Sequence, residues 1–175
     1  MKHSYEIAYK NVHLRPLAED DIENLRIWRN NPQNTKYLNK IPFITPEMQD
    51  EWFHNYIENT DEICFAIDEN SKLNRLVGSC SLYNFDGESC FFGKILIGDE
   101  EAHGQKIGLN ATEAAAEIAF LQLKISEIKL LVYTDNIAAI KVYEKAHFHI
   151  IDTHQDLYGN KEFSMLRRRE EKENA

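Results

Sequence analysis

The chain lacks any uninterrupted run of about 18 apolar residues, the length a helix needs to cross a bilayer, and its polar start from Met1 to Tyr9 has no apolar core of a secretory leader. A cytoplasmic protein with no membrane partner is therefore expected. Cysteine is scarce: Cys64, Cys80 and Cys90 are odd in number, have no CxxC spacing and fall in strand-like segments. Buried thiols are expected rather than disulfides or zinc ligands. Positive charge is in deficit, with 20 Lys and Arg against 29 Asp and Glu, a net charge of −9. The one basic run, Arg167 to Arg169, is followed at once by Glu170, Glu171 and Glu173. That balance disfavours a nucleic-acid partner. No repeat, low-complexity tract or Pro/Gly/Ser-rich linker divides the 175 residues, so one domain over 1–175 is expected.

What is present alternates in type. Val12 to Arg15 reads as a short strand, and Asp20 to Arg29 places Ile22, Leu25, Ile27 and Trp28 at roughly helical spacing, with Pro32 closing that region. Thr45-Pro46-Glu47 is a helix start, a hydroxyl cap followed by proline at the first helical position and an acid near the positive end of the dipole. That helix should run to about Glu58. Ile63 to Ile67 and Leu76 to Leu82 are β-rich runs joined as a hairpin by the polar Asp68 to Arg75 segment, and Cys90 to Ile97 is a third run. Leu109 to Leu121, alanine-rich and apolar nearly all round, predicts a helix packed into a core. Ile128 to Tyr133 is a strand, Ile137 to Lys145 a helix, and Phe148 to Ile151 with Glu162 to Leu166 are two strands around the Tyr158-Gly159-Asn160 turn. The order β α α β β β α β α β β predicts an α/β (α+β) fold. A central mixed sheet with helices on both faces closes it, because a strand–helix–strand crossover needs parallel neighbours and the hairpins need antiparallel ones.

The segment Leu130 to Phe148 carries the most chemistry. Asn136, Ala139, Ile140 and Tyr143 are spaced three, four and seven apart and share one helix face. Such a face offers a polar cap, a small residue and a phenol to a narrow ligand arm. The segment resembles the C-terminal half of the acetyl-CoA site in the GCN5-related N-acetyltransferase (GNAT) superfamily, a strand followed by N-x-x-A-x-x-x-Y-x-K-x-G-F. Here Asn136, Ala139, Tyr143, Lys145 and Phe148 match, and His147 replaces the glycine. Upstream, the family has a loop Q/R-x-x-G-x-G/A leading into its central helix. His103-Gly104-Gln105-Lys106-Ile107-Gly108 keeps the small last position but has His103 first and Lys106 in place of the central glycine. Pyrophosphate binding relies on backbone N–H groups and a helix N-terminus, so it survives that change. The resemblance covers at least Ile63 to Leu166.

It implies a splayed pair of parallel strands holding acetyl-CoA as cosubstrate. The backbone of Leu96, Ile97 and Gly98 would pair with the pantetheine amides, Gly104 and the amides of Gln105, Lys106, Ile107, Gly108 and Leu109 would hold the pyrophosphate, and Asn136, Ala139 and Lys145 would steady the cofactor. Tyr143 would face the thioester. The implied chemistry is direct attack of a neutral primary amine in a ternary complex, with a strand N–H near Ile97 polarising the carbonyl and Tyr143 protonating the leaving thiolate. His154 and Glu88 are candidates for deprotonating the incoming ammonium, with no base assigned. Family members are commonly dimers, so a homodimer is one state the resemblance implies.

The acceptor side is read from Leu25 to Pro32 and Ile44 to Phe53, which look like the subgroup that acetylates nucleotide-linked 4-amino sugars in bacterial surface-glycan pathways, including pseudaminic acid synthesis. There Arg29, with Asn30 beside it, would meet a diphosphate, and Trp52 or Phe53 would stack on a base or sugar. The alternative is that Trp28 and Trp52 anchor a core and Arg29 pairs with a local acid. Other readings remain open: a polyamine acceptor drawn by the acidic surface, a ribosomal-protein N-terminus, or an acyl-CoA-binding sensor without turnover. His147 and His149, two apart on an expected strand with His154 near, have no further ligand pattern, and no metal site is expected.

Overall fold

The computed structural model describes residues 2–38 and 41–169. Its elements are β1 (Ile7–Tyr9), β2 (Val12–Pro16), α1 (Ile22–Asn30), α2 (Pro46–Glu58), β3 (Glu62–Glu69), β4 (Arg75–Tyr83), β5 (Ser89–Ile97), α3 (Ile107–Glu117), β6 (Glu127–Tyr133), α4 (Ile137–Lys145), β7 (His149–Gln155) and β8 (Lys161–Arg168). The strands make one eight-stranded sheet in the order β1-β2-β3-β4-β5-β6-β8-β7. Every neighbouring pair is antiparallel except β5 beside β6. The mixed sheet with helices on both faces is therefore as the element order predicts, with β1 as an added strand at one edge.

Alternation along the strands sorts side chains to two faces. Ile63, Phe65, Ile67, Cys80, Leu82, Cys90 and Phe92 bury against α3 and α4 in the larger core. Cys64 and Ala66, one residue out of step, meet Leu17, Ile22, Leu25, Phe53 and Tyr56 of the α1–α2 side in a smaller one. All three cysteines are buried free thiols, as expected. Ala111, Ala114 and Ala115 of α3 are fully buried, and their small side chains let the helix lie close on the sheet.

Local chemistry sets the element ends. Thr45 caps α2, its hydroxyl accepting from Met48 N at 3.3 Å, and Pro46 opens the helix. The β3–β4 connection is shorter than expected, because β3 runs on to Glu69 and β4 starts at Arg75. The fully buried carboxylate of Glu69 organises this turn by accepting from the Ser71 hydroxyl and the backbone N–H groups of Ser71, Lys72 and Leu73. Those donors hold its pKa down at about 2, against the cost of burial.

One irregularity decides what the sheet can do. Between β4 and β5 the register passes from Ser79↔Leu96 to Ser81↔Gly93, so Cys80 alone faces Lys94 and Ile95. Lys94 takes the extra residue of this bulge in a left-handed conformation, φ 52°. On its other side β5 pairs with β6 only at Ser89↔Glu127, Cys90↔Ile128 and Phe91↔Lys129. Past Phe91 the two parallel strands part, while β5 stays on β4 and β6 stays on β8.

Candidate active site

The parting of β5 and β6 leaves a cleft inside the sheet whose borders still carry strand N–H and C=O groups. Gly98 N–H and Asp99 N–H both donate to Val77 O, at 2.9 and 3.2 Å. By alternation, Gly98 and Leu96 face β4, while Ile97 and, at the edge of the bulge, Ile95 face the cleft. This corrects the expected pantetheine contacts: the N–H of Gly98 is engaged in the sheet, and Leu96 pairs with Ser79. Ile97 O already accepts from His103 Nε2 at 3.0 Å, so His103, standing where the family pattern has Gln or Arg, ties the following loop to the strand end.

That loop turns twice through left-handed backbone, at Gly104 (φ 77°) and Lys106 (φ 61°), and Lys106 is the N-cap of α3. The helix begins at Ile107, two residues before the expected Leu109. Its first internal bond runs from Asn110 N to Lys106 O, 3.0 Å, which leaves the N–H groups of Ile107, Gly108 and Leu109 without helical acceptors. A side chain added at Gly104 or Gly108 would touch nothing within 4 Å, so the approach to these groups is open. Gln105 is less available than expected, since its N–H reaches Ala102 O at 3.4 Å and its side chain is bonded to Glu101 O. Two asparagines missed in the sequence brace the loop: Asn110 Nδ2 donates to Asn11 Oδ1 at 2.6 Å, and Asn11 Nδ2 donates to Gln105 O at 3.2 Å.

Across the cleft, Asn136 caps α4, its Oδ1 accepting from Ala139 N at 3.2 Å. Ala139 is half-buried beside it. Tyr143 is 7% exposed, its ring set edge-on against Phe92 at 6.3 Å and against Phe148 at 6.1 Å. Its hydroxyl makes no hydrogen bond to any described residue. Burial, then the nearby Tyr83 phenol and Cys80 thiol, push the Tyr143 pKa well above that of an ordinary tyrosine. Lys145 is exposed, two residues and hence about 200° round the helix from Tyr143, so it does not face the cleft. It instead places a cation at the negative end of α4. Because Tyr143 packs on Phe92, its ring lies beside the Gly93 to Ile95 bulge. Ile97, beside which the polarising N–H was expected, lies two residues, about 7 Å, beyond Ile95 along the strand.

The α1–α2 side approaches the same cleft. A side-chain carbon at Gly98 would lie 2.1 Å from the Trp28 indole, so α1 rests directly on the end of β5. Tyr37 Oη donates to Asp135 O at 3.2 Å, which ties the segment after α1 to the turn just before α4. Arg29 is half-buried and makes no hydrogen bond or ion pair with any described residue, unlike Arg15, Arg26, Arg75, Arg167, Arg168 and Arg169. Burial lowers its pKa. Asn30 is not free for a ligand: its amide bonds both Ile44 O and Ile44 N at 2.9 Å, which pins the chain ahead of α2. Phe53, expected to stack on a ligand, is 6% exposed in the smaller core. Trp52 is 39% exposed and stacks on Tyr56 at 5.7 Å, which leaves it a partly open ring.

The candidate bases separate. Glu88 lies at the start of β5, where its carbonyl accepts from Ser126 N and Glu127 N, far from Tyr143. His154 on β7 is 3.4 Å from Glu162 on β8. His147 is in a turn with φ 62°, not on the strand that His149 begins, so these two do not share a strand face. Among the described residues no three His, Cys, Asp or Glu side chains converge as metal ligands, and no helix is long and apolar enough to cross a membrane. A surface cavity of about 550 Å³ beside Arg15 lies elsewhere, and there the Arg15 guanidinium is committed to Asp21 and Asp68.

Residues 11–149 match the Acetyltransferase (GNAT) domain family. The chain is similar to acetyltransferase PseH of Campylobacter jejuni, 27% identical over 150 residues that cover 84% of this chain and 90% of that protein. It is similar to the probable N-acetyltransferase YjcK of Bacillus subtilis, 29% identical over 80% of this chain and 81% of the other. Among solved structures, a Vibrio cholerae spermidine N-acetyltransferase in complex with CoA and spermine has a TM-score of 0.80 at 20% identity, covering 90% of this chain and 95% of that one. Apo FdhC, a nucleotide-linked sugar GNAT, has a TM-score of 0.78 at 20% identity, covering 95% and 91%.

Proposed function

The chain belongs to the acetyltransferase (GNAT) family, and from that premise we propose an N-acetyltransferase that moves the acetyl group of its cosubstrate acetyl-CoA onto an amino sugar carried by a nucleotide. The pantetheine would lie in the cleft between β5 and β6, with its pyrophosphate at the open N–H groups of Ile107 to Leu109. The amine attacks the thioester carbon, the C–S bond breaks, Tyr143 gives its proton to the sulfur, and the proton that the nitrogen sheds restores the Tyr143 phenol.

The raised pKa of Tyr143 keeps it protonated at neutral pH, so a proton is there to give. It also makes the phenol a weak acid toward a thiolate, whose conjugate acid has a reference pKa of about 8.5 in water. The cleft corrects this mismatch. Burial pushes the neighbouring Cys80 thiol far up as well, so a thiolate formed here is as poorly solvated as a phenolate and takes the proton readily.

The observation that carries the acceptor assignment is Arg29. A half-buried guanidinium with no acceptor among the described residues, one residue from the Trp28 that covers the end of β5, suits a bidentate anion such as a diphosphate. A polycation such as spermidine gains nothing from it.

Thiol release from acetyl-CoA, followed across nucleotide-linked amino sugars, polyamines and N-terminal peptides, tests this. Turnover is expected with a nucleotide-linked amino sugar, and Arg29→Ala should raise its KM about 10–100-fold, the worth of a charge-assisted contact, with acetyl-CoA affinity unchanged. Turnover of spermidine alone, unaffected by Arg29→Ala, would reject the sugar acceptor.

A further inference from the structure

Tyr83 ends β4 on the face that α1 and α2 cover, since its register partner on β3 is Glu62, in step with Cys64. Its ring stacks on Phe91 at 5.8 Å and carries the Lys94 ammonium 5.0 Å above it. Lys94 in turn bonds Glu62 at 2.7 Å. The Tyr83 hydroxyl lies 2.9 Å from where a side-chain carbon of Gly93 would stand. The absence of a side chain at Gly93 is what admits it there, beside the bulge and just past the last β5–β6 pair. That hydroxyl bonds no described residue.

Tyr143 reaches the same stretch of β5 through Phe92, which points to the opposite face. Two phenols whose hydroxyls bond no described residue thus flank the point where the strands part, one from the cofactor-helix side and one from the acceptor side. Each is pushed up by burial, and the Tyr83 phenol is one of the groups that hold Tyr143 up.

We propose that Tyr83 is a second catalytic residue, its hydroxyl oxygen accepting a hydrogen bond from the attacking nitrogen and directing the nitrogen lone pair at the thioester carbon. As the N–C bond forms and the C–S pair moves to sulfur, Tyr143 supplies the sulfur's proton. The surplus proton on nitrogen passes to the Tyr83 oxygen while the Tyr83 proton returns to Tyr143 through a bridging water, since the two hydroxyls do not bond each other. Amine and thioester become amide and thiol, and both phenols end as they began. The assignment rests on the acetyltransferase reading above and not on the sugar.

The test is Tyr83→Phe, which keeps the ring on Phe91 and removes only the hydroxyl. Melting temperature and acetyl-CoA affinity should stay as in the unsubstituted protein. Turnover with the amine acceptor should fall about 100-fold, within the range for a proton-transfer group. The slow hydrolysis of acetyl-CoA without any amine, in which water takes the place of nitrogen, should fall in parallel. This arm needs no knowledge of the acceptor, so silence toward amino sugars with hydrolysis still sensitive to Tyr83→Phe would reject the sugar and support Tyr83. Tyr83→Phe/Tyr143→Phe should be scarcely slower than the slower single variant, because a relay fails as a unit. Unchanged hydrolysis and transfer in Tyr83→Phe would overturn the proposal, and so would a loss confined to acetyl-CoA affinity, which would make Tyr83 a wall of the cofactor cleft.

Discussion

Two residues where the family pattern has glycine, Lys106 and His147, hold left-handed backbone at φ 61° and 62°. In the sequence these substitutions read as departures, yet the backbone conformation is kept and only the residue that suits it is lost. At His147 the geometry is a Schellman cap: His147 N donates to Glu144 O at 3.0 Å and Phe148 N to Tyr143 O at 2.9 Å. The bond to Tyr143 O fixes the helix end that carries the phenol. A side-chain carbon in this conformation costs roughly 1–2 kcal/mol, part of which glycine returns through its greater unfolded-state freedom. His147→Gly should therefore stabilise the protein by about 0.5–1 kcal/mol. At about 2–4 °C per kcal/mol for a chain of this size, the melting temperature should rise by a few degrees at most. A fall would show that the imidazole makes a contact worth more than the strain.

At the scale of elements, most helices and strands were legible because their periodicity and caps are local. Thr45-Pro46 marks α2, and the alanine-rich run marks α3. β1 was not legible, because three residues, Ile7–Tyr9, show no usable alternation and become a strand only by pairing with β2. The helix faces were also hidden. Spacing groups Asn136, Ala139 and Tyr143 on one face and sets Lys145 off it, but it cannot say that Phe53 turns into a core or that Asn30 clasps Ile44. Tyr83 escaped notice because Gly93, ten residues on, is brought beneath it by the antiparallel register. The contact of α1 with β5 is of this kind too, and it can be tested. Gly98→Ala would drive a methyl into the Trp28 ring and should destabilise by about 1–3 kcal/mol, the cost of overpacking. Trp28→Ala in the same chain should recover part of that loss, and a double-mutant cycle on chemical denaturation should show coupling. Additive effects would mean that α1 does not bear on the strand.

Over the whole molecule, the sheet is two sheets joined at one seam of three residue pairs. Helix α3 lies across the larger core, Arg167 of β8 bonds Glu113 of α3 and Ala146 O at 2.8 and 3.0 Å, and Tyr37 reaches Asp135. A ligand lying in the cleft would add a bridge along its length. Acetyl-CoA at about 100 times its Kd should stabilise the fold by about 2.7 kcal/mol, a rise of roughly 5–10 °C in melting temperature, while CoA removal should return the unliganded value. No shift with saturating acetyl-CoA would argue against the cleft as its seat. The seam has a further consequence, for aggregation. A strand with unpaired backbone groups usually invites another chain to add on. The outer edge is guarded, since β7 carries Asp152 and His154 and is kinked by a bulge between Ile150 and Asp152. The cleft keeps two more such edges inside the molecule, where a foreign strand would have to thread between β5 and β6 to reach them. The protein can thus hold its most ligand-ready backbone bare without exposing it to other unfolded chains.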